Sequence, residues 1–349
     1  MADQNFIVTT LPEYVEQNRD LIIREVVLRS STIAKIAKQT GIKTSAQLHY
    51  LDVDPVFQDG KGCGFTPQGT VELTDRKITT GIIKVNMSIC PDNLLGKWAE
   101  YLVKIGAGKE ELPFEQYIID GIVRAIQEKL EKAVWQGDTS SSDSDLNRFD
   151  GFLKIANAEE DVVKMTIPSG TSAYDSIKQV LLKLPEKIMN TASVFVSPAL
   201  YRAFMFEMVE KDYYHYDGNH GSIPDEFEFP GTGNVVIMTP GLAGTQNILA
   251  SSPRNMYYGT DLESNAEEVD IWFSKDNDVF RLKVKWNSGV QFAFPDEVVL
   301  ATIAEPSQGA SATIAETENA KGTEDEAQPA SEEETDAQPQ AASSARKTK

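Results

Sequence analysis

Asp212, His215, Asp217 and His220 fall together in DYYHYDGNHG, and two imidazoles with two carboxylates are the donor types of a hydrolytic metal centre or a general base. Such a zinc site is normally anchored on a regular element, as in HExxH on one helix, and a catalytic histidine needs a partner that orients it. The run offers neither. It reads as a surface or interface loop, with a metal-dependent hydrolase on those four residues as the enzymatic alternative. Asp143, Asp145 and Asn147 begin like a calcium loop, but the sixth position is Arg148 instead of Gly and the twelfth is Lys154 instead of Glu. That pattern reads as a solvated turn. The sequence contains no P-loop, no GxSxG elbow, no GxGxxG after a strand and no paired CxxC, and Cys63 and Cys90 are not spaced as metal ligands. The reading is therefore of a protein that is not an enzyme, with no catalytic residue, metal site or cofactor.

The balance of charge points the same way. The 349 residues hold 33 Lys and Arg against 53 Asp and Glu, a net charge of −20. Affinity for DNA comes mainly from phosphates neutralised by Lys and Arg, so this surface argues against a nucleic-acid-binding protein. With 41% apolar residues the chain can bury a sizeable core, and its length suits one to three domains. MADQNFIVTT lacks a basic stretch followed by an apolar run, and no apolar run approaches the ~18 residues that span a bilayer. The expected setting is cytoplasm, with reduced thiols and no membrane.

The elements follow from period and caps. Residues 12–30 suit an amphipathic helix starting at Pro12 and Glu13, and residues 31–39 a short second helix capped by Ser31 and stopped before Gly41. Between 48 and 90, Val71 and Leu73 alternate with polar residues and Ile78, Ile82, Ile83, Val85, Met87 and Ile89 form a β-rich run, with a glycine-rich tip at 59–64. This is a long two-stranded excursion. Two arms of about 12 residues would reach roughly 40 Å, and an isolated ribbon is marginally stable in water, so it needs something to lie on. Residues 113–136 read as one helix of about 36 Å, with a stripe of Phe114, Ile118, Ile122, Ile126, Leu130 and Val134 and a stop at Gly137. A Ser/Asp loop follows at 139–147, then helices over 173–189 and 199–209. Strand signals fall at 194–196, 234–238, 269–273, 279–286 and 290–294, the last two separated by a turn near Asn287. The class is α+β. Residues 305–349 carry ten acids and four bases, no Phe, Trp or Tyr, and Ile314 as their one large aliphatic, the composition of a disordered acidic tail.

The order of arm, long hairpin, spine helix and mixed sheets resembles the major capsid proteins of tailed bacteriophages, with the Hong Kong 97 type fold. The likeness rests on Ala133-Val134-Trp135-Gln136-Gly137-Asp138, on Phe149-Asp150-Gly151-Phe152, and on Phe195-Val196-Ser197-Pro198 opening a helix. It continues with Gly233-Asn234-Val235-Val236-Ile237-Met238, Tyr257-Tyr258-Gly259-Thr260-Asp261, Asp278-Val279-Phe280-Arg281-Leu282-Lys283 and Phe294-Pro295-Asp296, and spans residues 10–304.

The resemblance implies an N-terminal arm at 1–47, an extended loop at 48–91 lying over a neighbouring subunit, and a peripheral domain at 92–184 that returns at 262–304. An axial domain at 185–261 then surrounds capsomer centres. It implies hexamers and pentamers of this chain forming an icosahedral virion head, assembled in the bacterial cytoplasm around double-stranded DNA held without sequence-specific binding. Portal, scaffold and decoration or head-fibre proteins would be its partners, and an encapsulin-type compartment shell is the alternative. The expected inter-subunit residues are Lys61, Gly62, Phe65, Arg76 and Lys77. Some members join subunits by a Lys–Asn isopeptide bond, for which Lys61 and Asn287 are the candidate pair. An arm beginning so near Met1 leaves no room for a large N-terminal scaffolding segment, so a separate scaffold or none is expected.

Overall fold

A computed structural model describes residues 2–60, 65, 67–90, 97, 100, 114–213, 224–261 and 268–304. The chain divides into a unit Met1–Pro306 and a unit Ser307–Lys349, and the second lies outside the described residues. The tail expected at 305–349 falls outside them too, as do Pro113 and the whole His215–His220 run.

Helix α1 (Ala2–Leu28) runs through Pro12, so the expected start at that proline is corrected. An interior proline removes one backbone hydrogen bond and crowds the carbonyl four residues back. Burial of Leu11, Val15, Ile22, Ile23, Val26 and Val27 in the core opposes that loss. The second arm helix is also corrected. Residues 31–35 form turns and Ala37–Gln39 is strand β1, drawn into extended form by parallel pairing of Ala37 with Tyr257 and Gln39 with Gly259.

Two large sheets carry most of the strands. In the first, β12 (Val279–Phe292) pairs β11 (Glu268–Ser274) on one edge and β4 (Gly81–Ile89) on the other, while β10 (Met256–Gly259) joins its last residues to β1. The sequence suggested two strands here with a turn near Asn287. They are one, because Gly289 has no Cβ to meet the Thr80 Cα, which would stand 3.0 Å from it, and the strand continues past that crossing. The second sheet has the order β5 (Val163–Ile167), β13 (Val299–Ile303), β9 (Asn247–Ser251), β6 (Ser193–Val196), β8 (Val235–Met238), β7 (Glu226–Glu228). Helices α4 (Ala173–Leu182) and α5 (Pro198–Glu210) cover it around a second core. Serine hydroxyls cap both: Ser172 accepts from the Asp175 N–H and Ser197 from the Leu200 N–H.

The spine, α2 (Phe114–Gln136), buries Ile118, Ile119, Val123, Ile126, Leu130 and Val134 in the first core. At its end Trp135 is fully buried, with ring centroids 5.5 Å from Phe152 and 5.2 Å from Phe195. The Trp135 indole donates to Thr32 Oγ1 at 2.8 Å. The buried Glu131 carboxylate accepts from the Ser30 and Thr32 hydroxyls and, at 3.1 Å, from the Thr32 N–H. The arm is thus tied to the spine by a carboxylate with its own donors, which offset its desolvation.

Candidate inter-subunit surface

The third sheet is a ribbon of β2 (Ser45–Pro55) and β3 (Gly69–Thr79), paired from Ser45 opposite Thr79 to Pro55 opposite Gly69. Among the described residues these strands pair with each other and with no further strand. At ~3.3 Å per residue the ribbon is about 36 Å long. Its second arm ends at Thr79, earlier than the alternation suggested. The Ile82–Ile89 run is β4, drawn into the first sheet by nine antiparallel pairings with β12, from Ser288 opposite Gly81 to Phe280 opposite Ile89.

Period two gives the ribbon two faces. Val53 and Val71, directly opposite each other, share one, and Asp54, opposite Thr70, lies on the other. Two valines standing in water bury little, so their face does not stabilise the ribbon alone. Val53 is 49% and Val71 68% exposed, and at the tip Phe57 is 98% and Phe65 92% exposed.

The root is held firmly. Ile42, Leu48 and Ile78 form a small core of their own, Arg76 pairs with Glu159 beyond α3 (Phe152–Ala158), and the Gln291 amide donates to the Lys77 carbonyl at 3.0 Å. The glycine at the distal end, Gly69, has a φ of +96°, in the region where side chains are strained.

The expected contact residues therefore separate. Phe65 stands at the exposed tip, Arg76 is an intrachain anchor at the root, and Lys77 is exposed there with its backbone engaged. Lys61 and Gly62 lie outside the described residues. Asn287 is mid-strand, 5% exposed, and its amide donates to the Lys43 carbonyl at 3.0 Å. Phe57 was missed, although a large aromatic beside a glycine-rich tip is a visible signal.

The residues that could do metal chemistry are spent on structure where they are described. Asp145 pairs with Lys129 at 2.7 Å, and Asp143 accepts from the Asp145 N–H at 2.9 Å. Asp212 takes a φ of +57° just after α5, while His215, Asp217 and His220 lie outside the described residues. Among the described residues no group of three or more His, Cys, Asp and Glu could hold a metal, and no helix is long and apolar enough to cross a membrane.

The motif Gly137-Asp138 and Asp150-Gly151 is a clasp. The Gly151 N–H donates to the Gly137 carbonyl at 2.9 Å, and a Cβ on Gly137 would meet the Phe149 carbonyl at 2.5 Å, so the two segments touch because neither glycine has a side chain. Lys154 bridges Asp138 at 2.7 Å and Asp150 at 2.8 Å. Hydrogen bonding from Lys154 and the Ser140 N–H lowers the Asp138 pKa. Burial pushes Asp150 up, but Lys154 and Thr139 outweigh it and its pKa is lowered as well.

A solved structure described as "Satellite phage P4 procapsid including size determination (Sid) protein" superposes on this architecture with a TM-score of 0.57 at 12% identity, covering 81% of this chain and 90% of that one. The chain has the Hong Kong 97 type capsid fold. Further structures share this capsid fold: Gordonia phage Cozz, with a TM-score of 0.50 at 13% identity over 79% of this chain and 87% of that one, and the capsid of an empty GTA particle, also at 0.50, with 12% identity over 79% and 90%. No protein-family model and no curated protein matches the sequence.

Proposed function

We propose that this chain is a major capsid protein whose copies form hexamers and pentamers of an icosahedral phage head enclosing double-stranded DNA. The observation that carries the reading is the ribbon, about 36 Å of paired strand with an apolar face and two exposed aromatics at its tip, projecting from a capsid fold. A two-stranded ribbon gains its missing partner from a neighbour's surface, and a closed shell multiplies modest contacts by simultaneous engagement. In this reading residues 48–91 reach over the neighbour, 92–184 and 262–304 form the peripheral domain, and 185–261 form the axial domain. Lys61, Gly62, Phe65 and Lys77 face the neighbour, and portal, scaffold and decoration proteins complete the head. The charge of −20 suits a wall that must not grip its genome.

Negative-stain microscopy and size-exclusion chromatography of the expressed chain test this directly. Hollow shells or capsomer rings are expected, and a monodisperse monomer at high concentration would overturn the proposal. The ratio of absorbance at nucleic-acid and protein wavelengths in particles from infected cells separates a genome container from an encapsulin-type compartment.

A further inference from the structure

The outward face of the first sheet gathers cations. Along β12, Phe280, Leu282 and Val284 turn into the core, so Arg281, Lys283 and Lys285 share the other face. On one side β4 sets Ser88, Asn86 and Lys84 directly across from those three, and on the other β11 sets Trp272, Asp270 and Glu268. Lys84 and Arg281 are exposed, Lys283 and Lys285 half-buried, and Trp272 is 43% exposed. Lys84, Arg281 and Lys283 line a shallow hollow of about 340 Å³ together with Asn86, Ser88 and Trp272.

This arrangement carries a cost. Lys84 stands directly across from Lys285, and like charges so placed destabilise a sheet. The acidic positions of the face are both on β11, at Asp270 and Glu268, and β4 contributes none. Among the described residues no ion pair engages Lys84, Arg281 or Lys285. Four cations are thus gathered at a local penalty in a chain of net charge −20, and departures from local consistency concentrate at functional surfaces.

We infer that this face docks an extended acidic segment of a separate polypeptide, with carboxylates at alternate residues. Arg281, Lys283 and Lys285 repeat at ~6.6 Å, twice the ~3.3 Å rise of a strand, and an extended peptide presents every second side chain at that same interval. Trp272, across from Arg281, adds the aromatic area that interface centres favour. Duplex DNA fits less well. It carries one charge per ~1.7 Å and binds through many neutralised phosphates, whereas this face sets four cations beside two acidic positions on a strongly acidic chain. The inference concerns the surface of the subunit and does not rest on the shell reading.

The test titrates the full-length chain against a fluorescein-labelled peptide alternating Asp and Thr over about twelve residues and reads anisotropy. A peptide of the same composition with its acids in one block, and a short DNA duplex, are the other probes. The alternating peptide should bind best, with the block peptide about fivefold or more weaker. Arg281→Thr with Lys283→Thr should weaken it about tenfold or more. Lys84→Glu removes the facing like charge, so the subunit Tm should hold or rise while the peptide binds about fivefold or more weaker, which separates a lost surface from a lost fold. A fall in Tm would contradict the repulsion. Equal affinity for the two peptides, a preference for the duplex, or a parent chain that binds none of the probes overturns the inference. Peptide that binds free subunits and not assembled particles assigns the face to a second copy and overturns the separate partner. Where no particle forms, the shell reading fails and the subunit titration still decides this one.

Discussion

Trp135 packs at a tilt against Phe152 and Phe195 and donates to Thr32, whereas Val53, Val71, Phe57 and Phe65 on the ribbon stand largely in solvent. Both regions are rich in apolar side chains and regular hydrogen bonding. They differ in where the complementary surface lies: the end of the spine finds it within the same chain, and the exposed side chains of the ribbon do not find it among the described residues. Under the proposed shell function, stability and assembly are written into separate stretches of sequence, and substitutions should separate them.

The comparison breaks most readily at the spine. Trp135→Ala empties a fully buried site and should destabilise the subunit by about 3–5 kcal/mol in urea unfolding; a loss near that of a surface change would mean the spine end is not the anchor described. Glu131→Ala strands the buried Thr32 N–H and two hydroxyls, and we expect about 1–3 kcal/mol, read from the same titration.

Acid sharpens the picture of the clasp. Asp138 and Asp150 have lowered pKa values in the folded chain, so the unfolded chain takes up protons first as pH falls. Their contribution is complete above the ordinary carboxylate range and is lost as pH falls through the lowered values. Lys154→Met should remove that acid-dependent part of the Tm-against-pH curve. A curve of unchanged shape would show that Lys154 does not hold the pair.

The smallest effect on folding is expected on the ribbon. Val53→Ser with Val71→Ser should change subunit stability by less than about 0.5 kcal/mol per site, since both are already exposed, while the yield of particles falls sharply. Amide exchange gives the same contrast: residues 50–60 exchange quickly in the free subunit and slowly in particles.

The spine was legible because apolar residues at spacing four have one reading over six turns, and the glycine-rich tip marked the ribbon. Other elements were not. Val163–Ile167, Asn247–Ser251 and Val299–Ile303 are short apolar runs that become strands through neighbours in the second sheet, and local pattern does not name those neighbours. Alternation over Ile82–Ile89 announced a strand but not that β12, 200 residues away in sequence, would take it from the ribbon.

For the candidate surface, the sequence alone specified a long two-stranded excursion with a glycine-rich tip that needs something to lie on, because alternation and turn residues are local in residue order. Tertiary structure decided which of its residues face outward. Arg76 was bound inward by Glu159, Asn287 was buried in mid-strand, and Phe57 was left exposed beside Phe65. Exposure depends on what distant segments bring alongside, and that information is not local.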